Sequence, residues 1–410
     1  MLANVVLLAL LPTMLPAGDA WPEFRGPTGQ GIATAKNVPT EWGPDKNLVW
    51  KRPIPGKAWS SPVIADGKIY VSTAVGSDQL ELRLLCLEAS TGKQQWNTLL
   101  FTKKARPQHP KNSQASPTPL VDVANGWIYV HFGPYGTACV DRAGKPRWKN
   151  DQLDFAPVHG TGGSPVLVDG LLVFTRDGAN LRELVALDAA TGKVKWQSKR
   201  TPVTGNAFSF CTPLVIEVKG KKQIISPASG MVGAYDVTTG REIWRVMYKG
   251  YSVIPRPVFA HGLVFIGTGY DSPSVLAIRP DGTGDVTATH VVWKSGSRAP
   301  HTPSMLVVGD ELYLVSDAGF ASCLDARTGK VHWSQRLGGK GYSASPIAVG
   351  QHIYFLSEDG VGTVIQAGTT FQSVATNRLG ERTLASYAVL EGALFVRSES
   401  HLYRFGDKAD

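Results

Sequence analysis

Side chains of the kind that do chemistry gather in a few long, irregular segments of this chain. FTKKARPQHPKNSQ (101–114) carries His109, DQLDFAPVHGTGG (151–163) carries His159, MYKGYSVIP (247–255) leads into Arg256, and KSGSRAPH (294–301) carries Arg298 and His301. Trp59, Asp177, Asp317 and Tyr342 stand in or beside segments of the same character. An Arg in such a place suits a clamp on a carboxylate or other anion, and paired His with an Asp suit a metal ion or a proton relay. The set a hydrolase or oxidoreductase would use is His159, His301, Arg256 and Asp317. To act together they must meet within hydrogen-bond reach or through one water, and nothing in their spacing brings them there. No Gly-x-Ser-x-Gly elbow occurs, and the GTGG at 160–163 lacks the strand-to-helix setting of a phosphate loop. These nine residues are therefore read as binding groups, with no catalytic residue and no metal ligand assigned.

The elements that position them are written in a repeat. LLCLEASTGKQQW (84–96) is an apolar strand, an acidic position, a Thr-Gly-Lys turn and a Trp four residues after the Gly. The pattern returns at Trp148, Trp196, Trp244 and Trp333, and Trp50 and Trp293 extend the tryptophan series. Repeats of this length announce stacked or ringed supersecondary units. Each unit opens on a small or hydroxyl residue, usually before Pro, near Ser61, Thr118, Ser164, Thr212, Arg256, Ser304, Ser345 and Ser386. A short apolar run, a tight turn and a second strand rich in aromatic and β-branched residues follow, which is β composition throughout. Trp50 belongs to a fourth strand with no preceding three, whereas the last unit ends at HLYRFG (401–406) with no fourth strand. Pairing the two closes a ring and removes the open edges a linear array would expose. The expected fold is all-β: an eight-bladed β-propeller of four-stranded antiparallel blades over 48–410, its last blade completed by the N-terminal strand. Within such a ring Arg256 is the outlier, standing where other units place a hydroxyl. It reads either as an anion clamp in the central funnel or as an ion pair with a neighbouring blade.

Before the ring, residues 1–20 read as a signal peptide, with an apolar run from Val5 to Leu11 and small residues near Ala20. Residues 21–47, rich in Gly and Pro, read as an extended arm. The formal charge of +9 is scattered and no nucleic-acid-binding module is present, so nucleic acid is not an expected partner. Three of the four cysteines, Cys86, Cys139 and Cys323, share one repeat position, too far apart in a ring for disulfides, and all four read as buried thiols.

The A-x-D-x-x-T-G-x-x-x-W pattern resembles the tryptophan-docking repeat of the pyrroloquinoline-quinone (PQQ) propeller superfamily, which includes quinoprotein alcohol dehydrogenases and BamB-like proteins. The opening WPEFRGPTGQGIA (21–33) and the closing segment are similar to secreted PQQ-like propellers of planctomycete type. In the dehydrogenases a PQQ ring lies near a vicinal disulfide with Ca²⁺ held by Glu, Asn and Asp. This chain has no adjacent Cys pair and lacks their inserted segments, so PQQ with Ca²⁺ is not expected and no other cofactor is. The resemblance implies a periplasmic or secreted, monomeric, non-catalytic scaffold. Its partner would be a protein or polysaccharide of the cell envelope, and it would keep no integral membrane segment after signal cleavage. An enzyme with a metal or quinone in the funnel is the alternative.

Overall fold

Alternating apolar and polar positions make strands, and two-residue turns with positive φ at both positions, such as Asp66-Gly67 and Asp169-Gly170, fold them into hairpins. The computed structural model describes residues 20–201 and 205–407, so the signal-peptide expectation for residues 1–20 falls almost wholly outside the described residues. Among these the chain forms eight antiparallel meanders. Blade 1 covers 63–104, blade 2 120–150, blade 3 166–199 and blade 4 214–247; blade 5 covers 258–295, blade 6 306–336 and blade 7 347–378. Blade 8 takes three strands from 388–406, and its outer strand is Leu48–Pro53, paired with His401–Gly406. The expected closure by the N-terminal strand is what the structure shows. Among the described residues helix is confined to one turn at Thr287–His290 and a 3₁₀ turn at Gly133–Tyr135, and none is long and apolar enough to cross a membrane.

The core lies between blades. One apolar cluster joins blades 1 and 2, another blades 2 and 3, and so on round to blades 6 and 7. The largest joins blades 7, 8 and 1 with Trp21 and Trp42 of the N-terminal arm. The repeat tryptophans staple these interfaces from outside. The indole N–H of Trp50 donates to Ala89 O, that of Trp96 to Arg142 O, Trp148 to Ala189 O, Trp196 to Val237 O, Trp293 to Ala326 O and Trp333 to Gly368 O, each in the next blade. The turn Gly is needed for a second reason besides its positive φ: a Cβ on Gly192 would sit 2.4 Å from the Trp148 ring. Directly opposite Trp96, Trp148 and Trp333 across the sheet stand Cys86, Cys139 and Cys323, small enough to lie beneath the bulky ring. All four cysteines are buried and free.

Two places break the pattern. Blade 5 carries an insertion where Trp244 would find its turn, so Trp244 donates to Gln223 Oε1 of its own blade and Gly284–Asp285 adds a parallel fifth strand beside it. Blade 7 has Ala375 where the Trp belongs, opposite Val364. Between this blade and the next the arm supplies a tryptophan of its own. Trp42 lies against Gly362 and takes a backbone bond to Asn377 Oδ1 of blade 7, while packing on Tyr387 and Phe405 of blade 8.

Candidate binding site

The start of each inner strand is joined to the next blade by one hydrogen bond. The backbone N–H of Ser61 donates to Thr118 Oγ1 at 3.0 Å, Thr118 to Ser164 Oγ at 2.9 Å, and Ser164 to Thr212 Oγ1 at 2.9 Å. On the other side Arg256 N donates to Ser304 Oγ, Ser304 N to Ser345 Oγ, Ser345 N to Ser386 Oγ, and Ser386 N back to Ser61 Oγ at 3.1 Å. This belt of seven hydroxyls circles the channel and is interrupted at one place, between Thr212 and Arg256, because Arg has no hydroxyl to accept the bond.

At that break the arm is anchored. Arg256, 2% exposed, donates from Nε to Pro213 O, from Nη1 to Phe24 O at 2.5 Å, and from Nη2 to Glu23 Oε2 at 3.3 Å. The arm crosses the channel from blade to opposite blade. Trp21 exchanges backbone bonds with Ile64, Pro22 O accepts from Val121, Gln30 Oε1 accepts from Phe259 N, and Gly31 O accepts from Ala348 N. Arg25 donates to Met305 O, and Ile32–Ala33 runs parallel to Ala348–Val349 as an extra strand of blade 7. All these contacts fall further along the inner strands than the belt, toward the short hairpin turns. Gly29 has to be glycine, since a Cβ there would lie 2.3 Å from the Arg256 guanidinium. Burial pushes the Glu23 carboxyl up against the pull of Arg256, while burial and the Arg256 charge together bring Arg25 down to about 9.

With that end closed, the channel becomes a pocket of about 630 Å³ that opens between the irregular loops, its wall formed by the seven belt hydroxyls and its floor by Phe24. Round the mouth runs an arc of rings in mutual contact. His109 meets His159 with centroids 5.6 Å apart, His159 meets Phe208 at 5.1 Å, Phe208 meets Tyr251 at 5.7 Å, Tyr251 meets Tyr270 at 5.8 Å and Tyr270 meets His301 at 5.1 Å. Burial first, and then the neighbouring His109, lower the His159 imidazole below its ordinary value, so it stays neutral near pH 7. Trp59 lines the far side with the Arg382 guanidinium over its ring.

Of the nine residues singled out in the sequence, His109, His159, His301, Asp317 and Trp59 line this pocket. The other four do not. Arg256 serves the arm. Asp177 is fully buried, bonded to Arg200 Nε at 2.8 Å and accepting from Ser209 Oγ, in a network between blades 3 and 4. Tyr342 is buried and donates to Gly338 O, and Arg298 lies 3.6 Å over the Phe320 ring. Asp317, the one acidic residue in the lining, spends its oxygens on the loop itself, accepting from His301 N, Thr302 N and Thr302 Oγ1. Tyr251, Tyr270, Phe24 and the belt hydroxyls belong to the site too. The hydroxyls were visible in the sequence as the residue that opens each unit, before the Pro where there is one.

A calcium-bound quinone asks for converging carboxylate and amide oxygens. Among the described residues no three His, Cys, Asp or Glu side chains come together to hold a metal ion, and Asp317 and Asp177 are both engaged by protein donors, so these residues do not fit that group.

Four-stranded meanders closed into an eight-membered ring, stapled by turn-seated tryptophans and hollowed at one end, define a PQQ-repeat β-propeller. The family model described as "Outer membrane protein assembly factor BamB" matches residues 32–118, 108–289 and 282–373, and the chain belongs to that family. The protein of that description from Burkholderia pseudomallei is 25% identical over 211 residues, 50% of this chain and 48% of that protein. A lanthanide-dependent methanol dehydrogenase from Methylacidiphilum fumariolicum is 35% identical over 83 residues, 20% of this chain and 13% of the enzyme. The chain thus spans about half the length, or less, of these curated relatives. The crystal structure of BamB from Moraxella catarrhalis superimposes with a TM-score of 0.59 at 13% identity, covering 88% of this chain and 99% of that one, a likeness of fold.

Proposed function

We propose that the protein is a non-catalytic binding protein of the cell envelope, exported to the periplasm or cell surface, which holds a macromolecular partner against the irregular face of its propeller. The observation that carries this reading is the character of the pocket. Its lining is dominated by hydroxyls and rings, the imidazoles of His109, His159 and His301 among the latter, while its one carboxylate is consumed in holding the loop that frames it. Hydroxyls and ring faces of that kind recognise a ligand, and the one lining carboxylate, held by His301 N and Thr302, is not available to pair with the imidazoles as a proton relay. Membership of a family described by outer-membrane protein assembly supports an envelope setting. The opposite face offers mostly short hairpin turns, the insertion of blade 5 being packed against blade 4, and the arm seals the channel from that side.

The test is side-specific crosslinking. A photoreactive amino acid at Tyr270, on the irregular face, and another at Lys219, in the short turn of blade 4, are each exposed to an envelope fraction from the native organism. Discrete adducts from position 270 and none from 219 are expected. Equal adducts from both would sink the proposal. So would dye-linked alcohol oxidation that appears on adding PQQ with calcium and disappears in Asp317→Asn.

A further inference from the structure

The pocket carries a more specific message about its occupant. Every belt hydroxyl accepts the neighbouring blade's N–H, and among the described residues none of the seven donates its own hydrogen to a protein acceptor. Each is 2–4% exposed and lines the cavity. A hydroxyl has one hydrogen and two lone pairs, so each retains a donor and a second acceptor site. A buried polar group of this kind is costly to leave unmade, and seven of them converge on one space. Water fills such a space readily, and so does a ligand with hydroxyls of its own.

The rim narrows the choice. Tyr270 is 53% exposed, and Tyr251 and His301 stand beside it as part of a continuous arc of rings. Aromatic faces of this kind bind C–H surfaces while leaving polar edges free. The lining makes no demand for charge, since Lys111 is paired with Glu358 at 2.8 Å and Asp317 is satisfied by His301 and Thr302 of the neighbouring loop. The cavity, at about 630 Å³, lies within the roughly 300–1,000 Å³ of small-molecule sites.

We infer that the pocket binds the end of a neutral saccharide chain, with a sugar ring laid on the Tyr251–Tyr270 faces and its hydroxyls meshed with the belt below. This rests on the irregular face being the binding face and names what that face takes. A peptide would present amide N–H and C=O groups along an extended line, whereas the belt offers seven groups set round a ring, broken only at Arg256, that both donate and accept, as a polyol does.

Calorimetric titration of the full chain with maltohexaose, cellohexaose, xylohexaose, chitohexaose and trigalacturonate tests it. At least one of the four neutral oligosaccharides should bind saturably, with an affinity unchanged by added salt. Tyr270→Ala, on the exposed rim, should weaken that binding about tenfold. Thr118→Val should weaken it about five- to tenfold, while Lys219→Ala on the opposite face leaves it unchanged. Absence of binding by all the neutral sugars overturns the inference. So does binding of trigalacturonate alone that salt abolishes, or tighter binding of a peptide with alternating aromatic residues that Tyr270→Ala removes. If the sugars fail while crosslinking from position 270 still gives discrete adducts, the inference falls and the proposed function stands. If both fail, both fall.

Discussion

Arg256 shows how one side chain can be conspicuous in a repeat for a reason that lies elsewhere in the chain. It breaks the hydroxyl belt, and in exchange its guanidinium holds Phe24 O, Pro213 O and the Glu23 carboxylate. Breaking a buried pair from one side leaves the other charge stranded, which costs about 3–5 kcal/mol. Arg256→Met should therefore lower the unfolding free energy in urea by about that much, and Glu23→Gln placed in the same chain should recover part of the loss. A double-mutant cycle that shows no coupling between the two positions would mean that the arm is held by its backbone bonds alone. The sequence exposed Arg256 because a strict repeat makes any departure visible. Its partner stayed hidden, since residues 21–33 have no periodicity to say which wall they lie against. The belt hydroxyls present the reverse case. Their recurrence marked them as architecture, and only the geometry shows that the same oxygen can join two blades and face a cavity.

Strand composition, turn residues and the unmatched ends were enough to give eight blades and their closure, because each blade is specified locally. The exceptions are long-range. Nothing near Trp42 in the sequence resembles a Thr-Gly turn, so its place between blades 7 and 8 could not be read there, yet it packs in that interface, on the blade that carries Ala375 in place of a Trp. Trp42→Ala should cost roughly 3–5 kcal/mol, the range for removing a buried Trp, and as much as Trp196→Ala, which also loses a bond to Val237 O. Equilibrium denaturation of the two variants makes the comparison. The closing strand adds a pH dependence. Burial opposes the charge on Glu381, but bonds from Lys51 of that strand and from Ser398, Tyr403 and Ser400 of blade 8 outweigh it and hold the carboxyl far below the usual range. A depressed value means that the stabilisation is complete above about pH 4.5, the ordinary glutamate value, and is lost as pH falls through the folded-state value. Glu381→Gln should thus lower the melting temperature at pH 7, and the gap to the parent should shrink progressively in acid below pH 4.5. A gap that persists there would assign the loss to packing.

A closed ring changes what it means for any one part to come undone. Each blade buries both faces against neighbours, the hydroxyl belt returns from Ser386 to Ser61, and Arg397 of blade 8 reaches across the same junction to Ser60 and Ser72. No blade can leave without exposing two apolar interfaces, which argues for unfolding as a unit, in contrast to a linear repeat whose end units fray. The buried thiols can report on this. Cys86, Cys139 and Cys323 sit in blades 1, 2 and 6, and burial pushes each thiol up to about 12, so the reactive thiolate is scarce in the folded state. Cys211 is pushed up as well, beside the break in the belt. With a thiol-reactive disulfide reagent in excess, the native protein should show no fast-reacting cysteine. In mild denaturant all four should then be labelled in one phase, at the unfolding rate given by tryptophan fluorescence. Earlier labelling of Cys323 than of Cys86 would mean that blade 6, which is not a neighbour of the blade completed by the closing strand, opens on its own. Closure would then lock the ends without making the ring cooperative.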